Sequence, residues 1–369
     1  MMKLTLRSVQ TRHCVTVFGD EGMSYLNKIL KEQVRQGFQT FLLADEHTSL
    51  RCLPSLLSLL PDFRPDGILT TAPGEDSKTL EMAARLWREL ADAGADRHSL
   101  LLNLGGGVVT DLGGFVASCF KRGIRFINIP TTLIGMTDAA SGGKTAVNLD
   151  GLKNQTGTFT LPEAIVIHPV FLNTLDPSHL KQGLAEVAKC ALIADERCWK
   201  WLRSMDPEEI PALPPGDPAW MKMIQTATVI KNKIVQIDFE ERKERMLLNF
   251  GHTVGHAFES LMLKKDTPVS HGEAVAMGMI CETWLSWQLF GLTEEQRDEI
   301  TGWLYRGFGR KEFSEQDRET LAVLMMHDKK NVAGRIRFTG ISRPGAGVIR
   351  GEITPALLAG ALDFYQKME

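Results

Sequence analysis

The chain has 369 residues, enough for two domains rather than one small core. Its 43% hydrophobic and 24% charged content is that of an ordinary globular protein. A net charge of −3 gives the whole molecule no attraction for nucleic acid or an anionic membrane, so neither is expected as a partner, and any anion must be held by a local basic pocket.

Met1-Met2-Lys3-Leu4-Thr5-Leu6-Arg7 lacks the apolar core of a secretory signal, and charges interrupt every later apolar run well short of a membrane span. Residues 38–44 read as a buried strand, Gln39 and Thr40 apart, that ends at Asp45-Glu46. Residues 78–93 carry Leu80, Ala83, Ala84, Trp87, Leu90 and Ala91 at helical spacing. A short apolar strand over 99–104 runs straight into Gly105-Gly106-Gly107, and 124–129 and 164–167 are further strands. Strands separated by helices of this length imply a mainly parallel sheet with helices on its faces.

After Asp176-Pro177 nearly every segment has a 3.6-residue period, as in 180–194, 221–237 and 254–263. Residues 207–218 are a proline-rich connection between helices, and 335–339 form a short extended piece. The expected fold class is α/β plus α, with an α/β domain over 1–176 and a mainly helical domain over 177–369. Cys14, Cys52, Cys119, Cys190, Cys198 and Cys281 show no C-x-x-C pair and no zinc-ribbon spacing, which reads as reduced, mostly buried thiols in a cytoplasmic protein.

Asn103-Leu104-Gly105-Gly106-Gly107-Val108-Val109-Thr110-Asp111 is a strand entering a glycine turn and then a helix. Such a turn lets backbone N–H groups approach a pyrophosphate, with the helix N-terminus adding favourable partial charge. The full G-x-G-x-x-G pattern is not met, since Thr110 holds its last glycine position, and a tight turn needing positive φ is the competing reading. Ser141-Gly142-Gly143-Lys144-Thr145 contains Gly-Lys-Thr, but a Walker A loop needs a glycine where Asp138 stands, so an ATPase is not expected. Asp45 at a strand end suits a ribose hydroxyl, and Pro73-Gly74-Glu75-Asp76-Ser77-Lys78 suits a helix cap that presents Glu75 and Lys78. Equally, Asp45 could simply end its strand, and Asp76 or Ser77 could simply cap.

His252 and His256 are four apart in a helical pattern, so both imidazoles project from one face and suit a divalent, zinc-like ion. The protease version of this spacing needs Glu directly after the first His, and Thr253 stands there. His271 is a third candidate ligand. Glu186, an acidic residue on a predominantly apolar helix, would be costly to bury unless paired or metal-bound. Spacing leaves open which of His252 and His256 holds the metal. Arg122, Lys144, Lys153, Lys189, Lys231, Arg245, Lys329 and Lys330 recur beside these segments, as a small, strongly anionic substrate such as a phosphorylated sugar acid would require.

Several ordered motifs together resemble the 3-dehydroquinate synthases, within the sugar phosphate cyclases. They are Gly105-Gly106-Gly107 with Asp111, Arg122-Gly123-Ile124-Arg125-Phe126, Pro130-Thr131-Thr132, Asp138 with Gly142-Gly143-Lys144-Thr145, Lys153-Asn154, and Glu186 with Lys189. The run from Asn249 to His256, His271-Gly272-Glu273-Ala274-Val275 and Asp328-Lys329-Lys330-Asn331 complete the set.

The resemblance implies a Rossmann-like N-terminal domain binding NAD and a helical C-terminal domain carrying Zn²⁺, with Co²⁺ suiting the same ligands. By motif matching it assigns the metal to Glu186, His252 and His271, leaving His256 to substrate or proton transfer. Arg122, Asp138, Lys144, Lys153, Asn154, Lys189, Lys231, Arg245, Asn249, His256 and Lys330 match substrate-contacting positions, of which Lys144, Lys189, Lys231, Arg245, Asn249 and His256 are the catalytic set. Asp45, Glu75, Lys78, the three glycines, Asp111, Thr131, Thr132 and Thr174 match NAD contacts, together with Asp138, Lys144 and Lys153.

The implied reaction turns 3-deoxy-D-arabino-heptulosonate 7-phosphate into 3-dehydroquinate and phosphate. It runs by transient NAD-mediated oxidation, phosphate elimination, re-reduction and aldol closure, and the implied assembly is a homodimer. Ala140-Ser141 and Gln155-Thr156-Gly157-Thr158 depart from the family pattern near the pocket without removing a matched residue. A valiolone- or inosose-type cyclase is therefore the nearest rival, and a metal-dependent polyol dehydrogenase a more distant one.

Overall fold

The structure is a computed structural model, and it describes residues 8–10, 14–150, 152–214, 216–265, 267–326 and 336–368. The chain divides into two compact units, Met1–Asp176 with Pro215–Asn232 and Pro177–Pro214 with Lys233–Glu369. Residues 215–232, placed by sequence in the second domain, thus pack with the first unit.

The first unit is laid out in chain order as β1 (Ser8–Gln10), β2 (Val15–Phe18), α1 (Gly19–Gln36), β3 (Thr40–Asp45), α2 (Glu46–Arg51), α3 (Leu53–Leu59) and β4 (Gly67–Thr71). Next come α4 (Leu80–Asp92), β5 (Leu100–Gly105), α5 (Gly107–Cys119), β6 (Arg125–Pro130), β7 (Lys144–Leu149), β8 (Leu152–Phe159) and β9 (Ala164–Ile167). Seven strands form one sheet in the order β1-β2-β9-β6-β5-β3-β4, parallel throughout except for the β1–β2 pair.

The central strands read as mainly apolar runs because helices cover both faces: Leu42, Leu43, Leu101, Leu102 and Ile127 have no exposed surface, and the buried Asn103 and Asn128 are hydrogen-bonded to each other. This is a Rossmann-like sheet. Strand order reverses between β3 and β5, so the carboxyl ends of those two strands, Asp45 and Gly105, lie side by side at the switch point. The predicted strands appear within about two residues of their expected ends. The β7–β8 hairpin was not predicted. Gly142 (φ 94°) and Gly143 (φ 69°) turn the chain into strand β7 rather than into the helix that a Walker loop precedes.

The second unit follows as α6 (Pro177–Ala194), α7 (Glu196–Leu202), α8 (Pro218–Ile237, whose first part belongs to the first unit), α9 (His252–Lys264), α10 (His271–Phe290), α11 (Glu294–Phe308) and α12 (Glu315–Met326). Then come β10 (Ile336–Arg343), β11 (Ala346–Ile353) and α13 (Pro355–Gln366). Helix α10 is apolar nearly all round because α6, α9, α11, α13 and β10 all pack on it. Glycines let α9 and α10 approach closely: a Cβ on Gly278 would stand 1.9 Å from Gly251 O and 2.6 Å from Gly255 N. The extended piece foreseen near residue 336 is a hairpin, since β11 returns antiparallel to β10. Among the described residues, no helix is long and apolar enough to cross a membrane.

Candidate active site

In the first unit the glycine turn sits where the chain leaves β5. None of its three glycines has a positive φ, so a turn that demands left-handed backbone is not their reason. Close approach is. A Cβ on Gly105 would meet the Val109 side chain at 2.5 Å, one on Gly106 would meet Thr132 Cγ2 at 3.0 Å, and one on Gly107 would meet Ala139 Cβ at 3.1 Å. Helix α5 opens from Gly106 without a side-chain cap, the condition in which its first N–H groups suit a phosphate.

Beside it, Asp45 is the N-cap of α2: its carboxylate accepts from Thr48 N at 2.8 Å, and its own N–H donates to Thr48 Oγ1 at 3.0 Å. In the segment from Pro73 to Lys78 neither Asp76 nor Ser77 caps a helix, so the competing reading of those two residues is not met. That segment is a tight turn, and the next residue, Thr79, caps α4 by accepting from Met82 N.

Lys78 is the hub of this region. It is 3% exposed, and its Nζ donates to Asp111 Oδ2 at 2.7 Å and Asn154 Oδ1 at 2.6 Å, with Glu75 Oε1 at 3.7 Å. Asn148 ties in β7 by donating to Lys78 O at 2.7 Å through its N–H and to Glu75 Oε1 at 3.2 Å through its side chain. Burial raises the Asp111 carboxyl above its ordinary range, and the Lys78 charge only partly offsets this.

Thr131 is buried where β6 ends, Thr132 Oγ1 accepts from Gly135 N at 3.1 Å, and Thr174 Oγ1 lies 4.0 Å from Cys52 Sγ. Asp138 falls in the π-helical turn Gly135–Ala139, where Lys231 of α8 donates to both its carbonyl and its Oδ1 at 2.7 Å. Thr228, one turn earlier, donates to Met136 O, so the same helix face fixes that turn. Lys144, Lys153 and Arg122 are exposed, and Arg122 (φ 68°) lies between Lys121 (φ 51°) and Gly123 (φ 113°) in left-handed backbone.

In the second unit α6, α9 and α10 bring Glu186, His252 and His271 together, one donor atom from each lying within 4.8 Å of the others. Glu186 has no exposed surface. Its Oε1 is 3.3 Å from His271 Nε2 and 3.6 Å from His252 Nε2, and its Oε2 is ion-paired with the Lys189 ammonium. One oxygen and two imidazole nitrogens around a buried carboxylate form a donor set that fits a divalent ion of the zinc type.

Burial pushes the Glu186 carboxyl up, but Lys189 and His271 outweigh it and hold it well below the usual carboxylate range. Burial pushes His271 down, yet Glu186 and Glu259 outweigh it and raise the imidazole to about 9. His256 is exposed, with its ring centroid 5.3 Å from that of His252 and 6.2 Å from that of His271. It is not in the donor trio.

Two carboxylates that spacing did not single out support this arrangement. Glu282, fully buried on α10, accepts from Gly251 N at 2.6 Å and Val254 N at 3.0 Å, satisfying the amides at the start of α9 where His252 stands. Its signal in the sequence is a lone charge inside an apolar run. Glu259 lies 3.6 Å from His271 Nδ1, and its signal is its place three residues after His256 on one helix face.

Arg245 and Asn249 sit in the short 3-10 helix Glu244–Asn249 before α9. Arg245, 2% exposed, donates through Nη1 to Phe239 O at 2.5 Å, and Asn249 donates to Glu241 Oε1 at 2.9 Å. Lys330, with Lys329, lies outside the described residues.

Comparison with known proteins bears on the family of the chain. A family model described as 3-dehydroquinate synthase N-terminal matches residues 68–182, and one described as 3-dehydroquinate synthase C-terminal matches residues 183–331. A 3-dehydroquinate synthase of Parabacteroides distasonis is 39% identical over 327 residues, covering 89% of this chain and 91% of the relative. One of Xanthomonas campestris pv. campestris is 37% identical over 329 residues, covering 87% and 86%.

Among solved structures, a 2-deoxy-scyllo-inosose synthase complexed with carbaglucose-6-phosphate, NAD⁺ and Co²⁺ superposes with a TM-score of 0.83 at 21% identity, covering 98% of this chain and 100% of that one. A 2-epi-5-epi-valiolone synthase from Streptomyces hygroscopicus with NAD⁺ and Zn²⁺ bound gives a TM-score of 0.83 at 24% identity, covering 98% and 99%. At such identities these two bear on the fold alone. The matched family models and the curated relatives carry the conclusion: the chain belongs to the 3-dehydroquinate synthase family.

Proposed function

We propose that the chain converts 3-deoxy-D-arabino-heptulosonate 7-phosphate to 3-dehydroquinate and phosphate, as a step of aromatic amino acid biosynthesis. The observation that carries this reading is the Glu186, His252 and His271 donor set with Lys189 against it, in a chain of this family. When bound, NAD⁺ supplies a hydride acceptor that is restored within each turnover, and a divalent cation, Zn²⁺ or Co²⁺, supplies polarisation of a substrate hydroxyl.

Glu186, His252 and His271 would hold the cation. Lys189 keeps positive charge beside the ionised Glu186, a preorganised field for a substrate oxygen that gains negative charge. His256, exposed next to the trio, would move a proton between substrate and solvent. Arg245, with five donors in a rigid fork, suits a carboxylate, and Asn249 would orient a hydroxyl.

In the first unit the uncapped start of α5 would take the pyrophosphate of NAD, flanked by Asp45 and by Lys78, Glu75 and Asp111, with Thr131, Thr132 and Thr174 around it. Lys231 would hold Asp138 toward substrate and cofactor. Asn154 and the exposed Lys144, Lys153 and Arg122 would contribute contacts to the phosphate-bearing substrate, and Lys330 completes the proposed set. A homodimer in the cytoplasm is part of the same reading, and six free cysteines, five of them buried, agree with a reducing compartment.

The test is phosphate release from the heptulosonate phosphate by purified protein with catalytic NAD⁺ and a divalent metal. Turnover that needs both without NADH build-up is the expected result. Stoichiometric NADH would make the protein a dehydrogenase. Turnover of sedoheptulose 7-phosphate alone would move it to the valiolone branch.

A further inference from the structure

We infer that Glu259 is a positioning residue for the metal site, its carboxylate accepting from Nδ1–H of His271 so that Nε2 presents its lone pair to the ion. This rests on the metal reading of Glu186, His252 and His271. An imidazole that binds through Nε2 must carry its proton on Nδ1, and that proton needs an acceptor.

The two histidines of the trio find different acceptors. His252 Nδ1 lies 3.2 Å from Phe250 O, a backbone carbonyl supplied by the turn just before α9. His271 is the first residue of α10, and its Nδ1 faces the Glu259 carboxylate at 3.6 Å. That is an ion-pair separation, and a shift of about 0.5 Å makes it a hydrogen bond.

Glu259 reaches this place because α9 carries His252, His256 and Glu259 along one face. One helix thus supplies a ligand and also aligns the ligand contributed by the next. A carboxylate on the distal nitrogen makes His271 a more basic donor than a neutral carbonyl would. The Glu259 side chain is 21% exposed, so the site accepts a change there without opening the core.

The experiment compares Co²⁺ binding by the wild-type chain, E259Q and E259L. The dissociation constant comes from competition with a chromogenic chelator and the ligand field from the visible spectrum, with far-UV circular dichroism as the check on fold. E259L is expected to weaken Co²⁺ about 10–100-fold and to alter the visible bands. E259Q, which keeps an acceptor oxygen but not the charge, should fall between E259L and wild type. Constants within twofold of wild type for both variants overturn the inference, as does an equal loss in both, because then the accepting oxygen plays no part. A wild-type chain that binds no Co²⁺ overturns the metal reading itself, which separates the two failures.

Discussion

His252 and His256 stand one helical turn apart on α9, and the chain surrounds them differently. His252 is buried, with Nδ1 at a backbone carbonyl and Nε2 toward Glu186. His256 is exposed, and the donor group within 4.8 Å is made by Glu186, His252 and His271. A proton carrier needs access to solvent or substrate, while a ligand needs fixed geometry, and the roles proposed for the two histidines follow those environments. His256→Ala is expected to keep a full complement of metal by elemental analysis while kcat falls about 10²–10⁴-fold. Loss of metal in that variant would return His256 to the ligand set.

At the scale of elements, the site depends on how closely α9 lies on α10. Gly278, Gly251 and Gly255 remove the side chains that would hold the helices apart, and Glu282 of α10 then reaches the amides at the start of α9. Gly278→Ala puts a methyl group 1.9 Å from Gly251 O, a backbone atom that cannot rotate away. The helices must separate, so a loss of about 3 kcal/mol in unfolding free energy is expected, at the upper end for overpacking. Denaturant titration of the metal-free chain reads it directly. An unchanged midpoint would mean that the close approach contributes nothing to stability.

At the scale of the whole molecule, metal binding, protonation and stability are linked. The folded, metal-free chain holds the His271 proton up to a pKa of about 9, above its ordinary 6.5. That ion pair therefore stabilises the metal-free fold fully below about 6.5, and its contribution is lost as pH rises through about 9. A metal takes neutral imidazole and must displace this proton. Apparent affinity should therefore climb about tenfold per pH unit up to about 9 and then level off, because one proton is displaced per metal bound. The rise in melting temperature on adding Zn²⁺ should grow over the same window. Calorimetric titration in buffers of different ionisation enthalpy measures the proton released, and a pH-independent affinity would remove His271 from the binding equilibrium.

The predominantly apolar runs at 99–104 and 164–167 sufficed to place β5 and β9, because a strand buried on both faces is apolar except where a polar side chain finds a partner, as Asn103 does in Asn128. The same holds for α6 and α9, whose helical period is local, while the spacing of His252 and His256 suggested a metal-type face of which only His252 falls in the donor trio. The motif series from the glycine turn to Asn249 and His256 carried the family. Local pattern could not place the β7–β8 hairpin, whose residues are mostly exposed and lack a clean alternation on β8, nor β11. It also could not show that residues 215–232 pack with the first unit, since a buried helix face looks alike whichever core it meets.

The roles of Glu259 and Glu282 came only from the tertiary structure. The resemblance had already grouped Glu186 with His271, and the tertiary structure supplied the 3.3 Å approach that joins them across 85 residues of chain. Periodicity and backbone chemistry act between near neighbours and can be read along the sequence. Which carboxylate meets which imidazole depends on how helices approach one another, and that is decided by packing over long separations.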